Sequence, residues 1–167
     1  MEQWVYPTTY VKEDDFREGR ILYVTLPSKL EYAWDEGTAV GRFLAELKNG
    51  RIVGRRCRRC RRVLVPPRMF CEQCFRPTDE WVELADTGTV VTFSRCYITW
   101  DMRHLDEPQL PAVIAIDGAT PGYGFLHHLG EVDPEDVYIG MKVQAVWKPE
   151  EEREGAITDI LYFKPID

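Results

Sequence analysis

At 167 residues, with 44% apolar and 29% charged side chains, the chain is long enough for one ordinary domain plus a small appended module. No apolar run approaches the ~20 residues a membrane helix needs. The opening Met1-Glu2-Gln3-Trp4 is neither basic nor apolar, so neither a membrane segment nor a signal peptide is expected. The net charge of −7 argues against general nucleic-acid binding, and five cysteines, four of them in metal spacing, fit a reducing cytoplasm.

Residues 1–37 read as an N-terminal arm, helical or extended. Gly19–Pro27 contains one β-like segment between two charged flanks. Trp4, Tyr6, Tyr10, Tyr23, Tyr32 and Trp34 are many aromatics for a disordered tail, so the arm is expected to pack, on its own domain or on another subunit. Over 38–50 the pattern turns helical. Val40, Phe43, Leu44 and Leu47 fall at i, i+3, i+4 and i+7, and Asn49-Gly50 supplies a left-handed stop. This is an amphipathic helix, for the core or for docking a partner.

Residues 51–80 hold Cys57-Arg58-Arg59-Cys60 and Cys71-Glu72-Gln73-Cys74 on either side of a short hairpin with the strand-like run Arg62–Val65. Each C-x-x-C turn points two sulfurs at one ion, and two such turns side by side complete a tetrahedral Zn2+ shell. Cys57, Cys60, Cys71 and Cys74 are therefore the candidate metal ligands of a zinc ribbon. A disulfide pair or buried free thiols are the alternatives. Arg51, Arg55, Arg56, Arg58, Arg59, Arg61, Arg62 and Arg68 crowd around the first knuckle of an otherwise acidic chain. Such a patch suits one phosphorylated ligand or an acidic partner.

Residues 81–167 alternate strands and turns. From Gly88 we count five strands: about 88–98, Ala112–Ile116, Tyr123–His128, Met141–Trp147 and Ala156–Phe163. Pro121-Gly122 fits a type II turn, and Pro134–Val137 can make one helical turn. Five strands with a helical turn between the third and fourth match the Greek-key barrel called the OB-fold, and Gly88, Gly124 and Gly140 fall where it must bend. A generic antiparallel sandwich is the alternative. The fold class expected is mainly β: an N-terminal arm, a zinc ribbon and a C-terminal five-stranded barrel. Cys96, the fifth cysteine, is expected as a small core or interface residue.

The run Phe43–Ile52 leading into Cys57, Pro66-Pro67-Arg68 before Cys71, Trp81-Val82-Glu83, Gly88–Phe93 and Ile139-Gly140-Met141-Lys142-Val143 together resemble one family. It is the acyl-CoA-associated OB-fold proteins with a rubredoxin-like zinc ribbon, long labelled domain of unknown function thirty-five. The match covers about residues 38–163. Arg61 and Phe75 depart from it, since family knuckles often carry Gly after the second Cys. The resemblance implies an accessory subunit of a thiolase-like protein in a hetero-oligomer, completing or shielding a channel for coenzyme A or acyl-CoA.

A self-sufficient enzyme is not expected from the residues. With four cysteines committed to metal, only Cys96 is spare, and a closed four-thiolate zinc lacks the open position that catalytic zinc keeps. His127 and His128 are neighbours on a strand, so they are expected on opposite faces and not in one site. Arg61, Arg62 and Arg68 are the candidate contacts to CoA phosphates. The loop 100–110 between the first two barrel strands offers Trp100, Met102, His104 and Leu105 as an acyl or partner contact. The competing readings are a nucleic-acid-binding ribbon and barrel, and an iron-bearing electron carrier.

Overall fold

The computed structural model describes residues 11–24 and 31–166. The chain divides into two compact units at Trp34/Asp35. In the first, α1 (Glu13–Arg17) is a single short helix whose Asp15 carboxylate accepts from the Lys12 backbone N–H at 2.7 Å. Phe16 and Tyr23 meet edge to face with ring centroids 5.2 Å apart. Residues 20–24 form no strand, contrary to the segment expected across Gly19–Pro27. Residues 25–27, Trp4, Tyr6 and Tyr10 lie outside the described residues.

The second unit opens with α2 (Gly37–Lys48). It ends as Asn49-Gly50 implies: Gly50 sits at φ 70°, its N–H bonds Leu47 O at 2.8 Å, and Arg51 N–H bonds Glu46 O at 2.9 Å. That pair of bonds is a Schellman closure, which glycine adopts without a Cβ penalty. The buried stripe is Ala39, Phe43 and Leu47, whereas Val40 is 38% exposed and lies off it. The slip is a rotation of one position: i, i+4, i+8 carries the core contact.

The ribbon follows, in short strands. β1 (Ile52–Arg56) is flanked by β2 (Val63–Leu64) and by β5 (Glu80–Leu84) in an antiparallel sheet ordered β2-β1-β5. β3 (Phe70–Cys71) pairs β4 (Arg76–Pro77) as a miniature hairpin around the second knuckle.

Seven more strands complete the chain: β6 (Thr87–Phe93), β7 (Cys96–Ile98), β8 (His104–Gln109), β9 (Pro111–Ile116), β10 (Gly124–His128), β11 (Lys142–Trp147) and β12 (Ile160–Pro165). Five of them form one antiparallel sheet in the order β10-β9-β6-β11-β12. The ladder is not closed. Its edges β10 and β12 are joined only through a parallel bridge from Leu129, just after β10, to Phe163, with Gly130 N–H donating to Phe163 O at 3.0 Å. Gly124 begins β10 because a Cβ there would lie 1.9 Å from Ile114 O on β9. The Pro121-Gly122 turn is closed by Tyr123 N–H on Thr120 O at 3.0 Å, and Pro134–Asp136 makes the short helical turn capped by Asp133. The segment expected to be strand from Ala156 is instead a 3-10 turn over Ile157–Asp159, and β12 starts at Ile160.

One core joins helix, ribbon and sheet. Phe43 of α2 meets Phe125 of β10 at 6.0 Å, and Phe125 meets Phe163 of β12 at 6.1 Å, both edge to face. Leu47, Ile52, Val65, Ile114 and Val143 fill the space around them. Each such fully buried side chain contributes about 1.5–3 kcal/mol of transfer free energy, so the ribbon's position on the barrel is set mainly by apolar packing.

Candidate metal centre and the surfaces it organises

The first knuckle turns between β1 and β2, where Cys57 N–H donates to Arg62 O at 2.9 Å; at the second, Phe75 N–H donates to Cys71 O at 2.9 Å. In both turns the residue after the second Cys is left-handed, Arg61 at φ 64° and Phe75 at φ 50°. A non-glycine residue there costs roughly 1–2 kcal/mol, so the departures from glycine carry real strain.

All four sulfurs of Cys57, Cys60, Cys71 and Cys74 lie within 4.8 Å of one another, and Cys60 Sγ is 3.6 Å from Cys71 Sγ. A disulfide needs about 2.05 Å, and all five cysteines are free, so the disulfide alternative is excluded. Four thiolates around one ion at ~2.3 Å sit ~3.8 Å apart by tetrahedral geometry. The donor set fits zinc. When bound, a zinc with four protein thiolates supplies a cross-link between the two knuckles and leaves no open position for substrate.

The sulfurs are electrostatically unequal. The Cys60 backbone N–H, opposed by burial and helped by that of Arg59, draws the Cys57 thiol down to about 6. Burial, with the neighbouring sulfurs adding to it, pushes Cys74 up to about 12 and Cys71 up as well. Around them, Asp79 accepts from Arg58 N–H at 2.7 Å and from the Arg76 guanidinium at 3.0 and 2.9 Å, fixing the first knuckle to the chain beyond the second. The Arg58 N–H, and then Arg76, hold Asp79 below the usual carboxylate range against its partial burial. Sequence reasoning missed Arg76, Thr78 and Asp79, which follow the second knuckle without a spacing signal of their own.

Four of the arginines in the cluster, Arg51, Arg56, Arg58 and Arg62, are paired with carboxylates. Arg56 and Arg58 reach Glu80 at 3.1 and 3.0 Å, Arg51 pairs with Glu46, and Arg55 is buried. Arg62 bonds Glu72 at 3.2 Å and Tyr123 Oη at 3.3 Å, while the Tyr123 hydroxyl donates to Glu72. That bond holds Glu72 below the usual range and raises Tyr123. Of the three candidate phosphate contacts, Arg62 is thus part of a clamp between ribbon and barrel. Arg61 and Arg68 are exposed and have no ion-pair partner among the described residues.

The 100–110 stretch is not a loop throughout. β7 and β8 pair, Cys96 opposite Gln109 and Ile98 opposite His104, and form a two-stranded arm separate from the five-stranded sheet. Asp106, Glu107 and Pro108 are depleted in strands and hid β8, yet a two-stranded ribbon has only edges, where proline is tolerated. The tip is ordered by Thr99: its N–H donates to Arg103 O at 2.9 Å, and its Oγ1 accepts from Arg103 N–H at 3.0 Å. Trp100 is 95% and Met102 78% exposed there; His104 is also exposed, and Leu105 is half-buried. Cys96 is half-buried on β7, with its nearest polar contact Ser94 Oγ at 3.5 Å.

Burial alternates along β10 as expected of a strand, with Phe125 buried, Leu126 exposed, His127 half-buried and His128 exposed. Both histidines nevertheless border one hollow beside this outer strand, with imidazole centroids 6.3 Å apart, which corrects the expectation that they share no site.

The fold and site together define a protein with a rubredoxin-like zinc ribbon leading into an OB-fold. Residues 37–80 match the family model of the ChsH2 rubredoxin-like zinc ribbon domain, and residues 81–148 that of the ChsH2 C-terminal OB-fold domain. The chain is 38% identical over 120 residues, 70% of its own length and 82% of the relative's, to a DUF35 domain-containing scaffold protein of Methanocaldococcus jannaschii. It belongs to this family, DUF35. It is also 29% identical over 102 residues to a probable enoyl-CoA hydratase alpha subunit of Thermomonospora curvata, covering 60% of this chain but only 30% of that one. Among solved structures, a DUF35 protein of unknown function from Sulfolobus solfataricus is similar at a TM-score of 0.54 and 27% identity, covering 66% of this chain and 77% of that one. The Ltp2-ChsH2(DUF35) aldolase shares the fold at a TM-score of 0.58 and 24% identity, covering 81% of this chain and 98% of that one.

Proposed function

We propose that this chain is a non-catalytic accessory subunit, holding one structural zinc on Cys57, Cys60, Cys71 and Cys74, that pairs with a thiolase-type subunit and helps it bind or channel acyl-CoA. The observation that carries the reading is the β7–β8 arm, which holds Trp100 and Met102 out in solvent on an ordered tip. An exposed aromatic such as Trp100 is a usual anchor of a protein interface. Arg61, in the turn of the first knuckle, and Arg68, just before the second, are both exposed and are the contacts for CoA phosphates in this reading. The family relatives point the same way: one is described as a scaffold and another as a subunit of a probable enoyl-CoA hydratase.

The nucleic-acid alternative draws on the arginine cluster, in which Arg51, Arg56, Arg58 and Arg62 pair with Glu46, Glu80 and Glu72 and Arg55 is buried. The test is co-expression with the thiolase-like protein of the same genome. Co-purification in a fixed ratio, with turnover higher than that of the thiolase alone, is the expected result. A thiolase that is fully active alone and never co-purifies overturns the proposal.

A further inference from the structure

The open side of the barrel carries a feature that the partner reading does not use. Between the edges β10 and β12, where the ladder fails to close, lies a hollow of about 430 Å3. That volume falls within the roughly 300–1,000 Å3 of small-molecule sites. Leu126 of β10, Ile157 of the 3-10 turn and Leu161 of β12 give it apolar walls, although they are 64%, 38% and 45% exposed.

Among the described residues its polar lining is Lys148, His127, His128 and Thr158, with no acidic side chain. In a chain with 28 Asp and Glu this is selective: three other hollows include Glu107, Asp133 and Glu46 respectively. Lys148 has no carboxylate within ion-pair distance among the described residues, although its charge is felt by the buried Asp159 carboxylate nearby. His127 is saturated as a neutral ring, since its Nδ1 accepts from His128 N–H at 2.9 Å and its Nε2 lies 3.3 Å from Ile157 O, placed to donate. Burial lowers its pKa, in keeping with that neutral tautomer. His127 therefore serves as wall, which leaves Lys148 and the exposed His128 as donors.

We infer that this hollow binds a small amphiphilic monoanion, a carboxylate on a short unbranched apolar chain. Lys148 and His128 receive the headgroup, and the chain lies along Leu126, Ile157 and Leu161. The site belongs to the single chain and does not depend on the accessory-subunit reading. A charge-assisted hydrogen bond is about twice as strong as a neutral one, so the headgroup charge must matter to affinity.

The experiment is titration of octanoate, and separately of octanamide, into the zinc-loaded full chain, followed by backbone amide shifts. Octanoate is expected to give saturable shifts confined to residues 126–128, 148 and 157–161, with octanamide at least tenfold weaker. Lys148→Gln is expected to weaken octanoate at least fivefold and leave octanamide unchanged, and Leu126→Glu to abolish binding of both. Leu126 is exposed and Lys148 half-buried, and unchanged shifts elsewhere in each variant establish that it folds. Non-saturating shifts, equal affinity for the two ligands, or an unaffected Lys148→Gln overturn the inference. So does a hollow whose amides move only when a protein partner is added.

Discussion

Arg55 Nη2 donates to the carbonyl of Thr78 at 2.6 Å, and Arg55 Nε donates to Thr78 Oγ1 at 2.9 Å. Thr78 Oγ1 in turn donates to Arg68 O at 2.8 Å. Arg55 is only 6% exposed, and its Cζ lies 4.9 Å from the centre of the Trp81 ring. A cation that reads in sequence as part of a phosphate-binding patch is thus a buried fastener between β1 and the chain leaving the second knuckle. A carbonyl, a hydroxyl and an aromatic face replace its lost water.

Arg55→Lys keeps the charge and loses the planar fork, and Thr78→Val leaves Arg55 Nε and Arg68 O unpaired. Each is expected to lower stability by about 1–3 kcal/mol. Because the two act through one contact, the double variant should lose less than the sum. Denaturant unfolding of the zinc-loaded proteins measures this, and strict additivity would refute the pairing.

Metal analysis should find about one zinc per chain in a colourless protein. Cys71→Ser, or a strong chelator, is expected to lower the melting temperature by at least ~10 °C, since zinc contributes on the order of 10 kcal/mol to folding in small fingers. A coloured, iron-loaded protein would instead favour the electron-carrier reading.

Asp159 is fully buried before β12 and accepts from the backbone N–H groups of Glu154, Gly155 and Ala156 at 3.0, 2.7 and 3.1 Å. Burial alone would raise its pKa, but those three donors together with nearby Lys148 leave it below the ordinary value. A depressed carboxylate contributes stability that is present above its unfolded pKa of ~3.9 and lost as pH falls through the folded value. Asp159→Asn is therefore expected to cost about 2–3 kcal/mol at neutral pH. Its deficit relative to wild type should shrink below about pH 4. Paired denaturation curves from pH 7 to 3 decide it, and a constant deficit would contradict this role.

Trp100 is free of the core, so Trp100→Ala should leave the melting temperature within about 1 °C of wild type, as surface changes do. If the arm is the partner anchor, the same change should weaken the complex with the thiolase-type subunit by at least tenfold, the loss of a hot-spot aromatic. Calorimetry on the purified pair reads both. Unaltered affinity would move the interface elsewhere on the surface.

The metal centre was legible in the chain because a ligand set is written in local spacing. Two C-x-x-C turns and ten residues between them leave one compact arrangement, and the four sulfurs meet as expected. The helix stop at Asn49-Gly50 and the strands of the five-stranded sheet were legible for the same reason, each being a short-range pattern of burial or turn chemistry. What the surfaces offer was not local. In the sequence Arg62 reads as a phosphate contact, yet it closes on Glu72 and on Tyr123, 61 residues away. His127 and His128 alternate along β10 as the strand period requires, yet both border one hollow because the sheet ends at their strand. By itself the sequence determined the ribbon, the barrel strands and the metal ligands, since these follow from neighbours in the chain. Only the tertiary structure decided which charges are spent on one another and where the sheet stays open, because those depend on contacts between residues far apart in the chain.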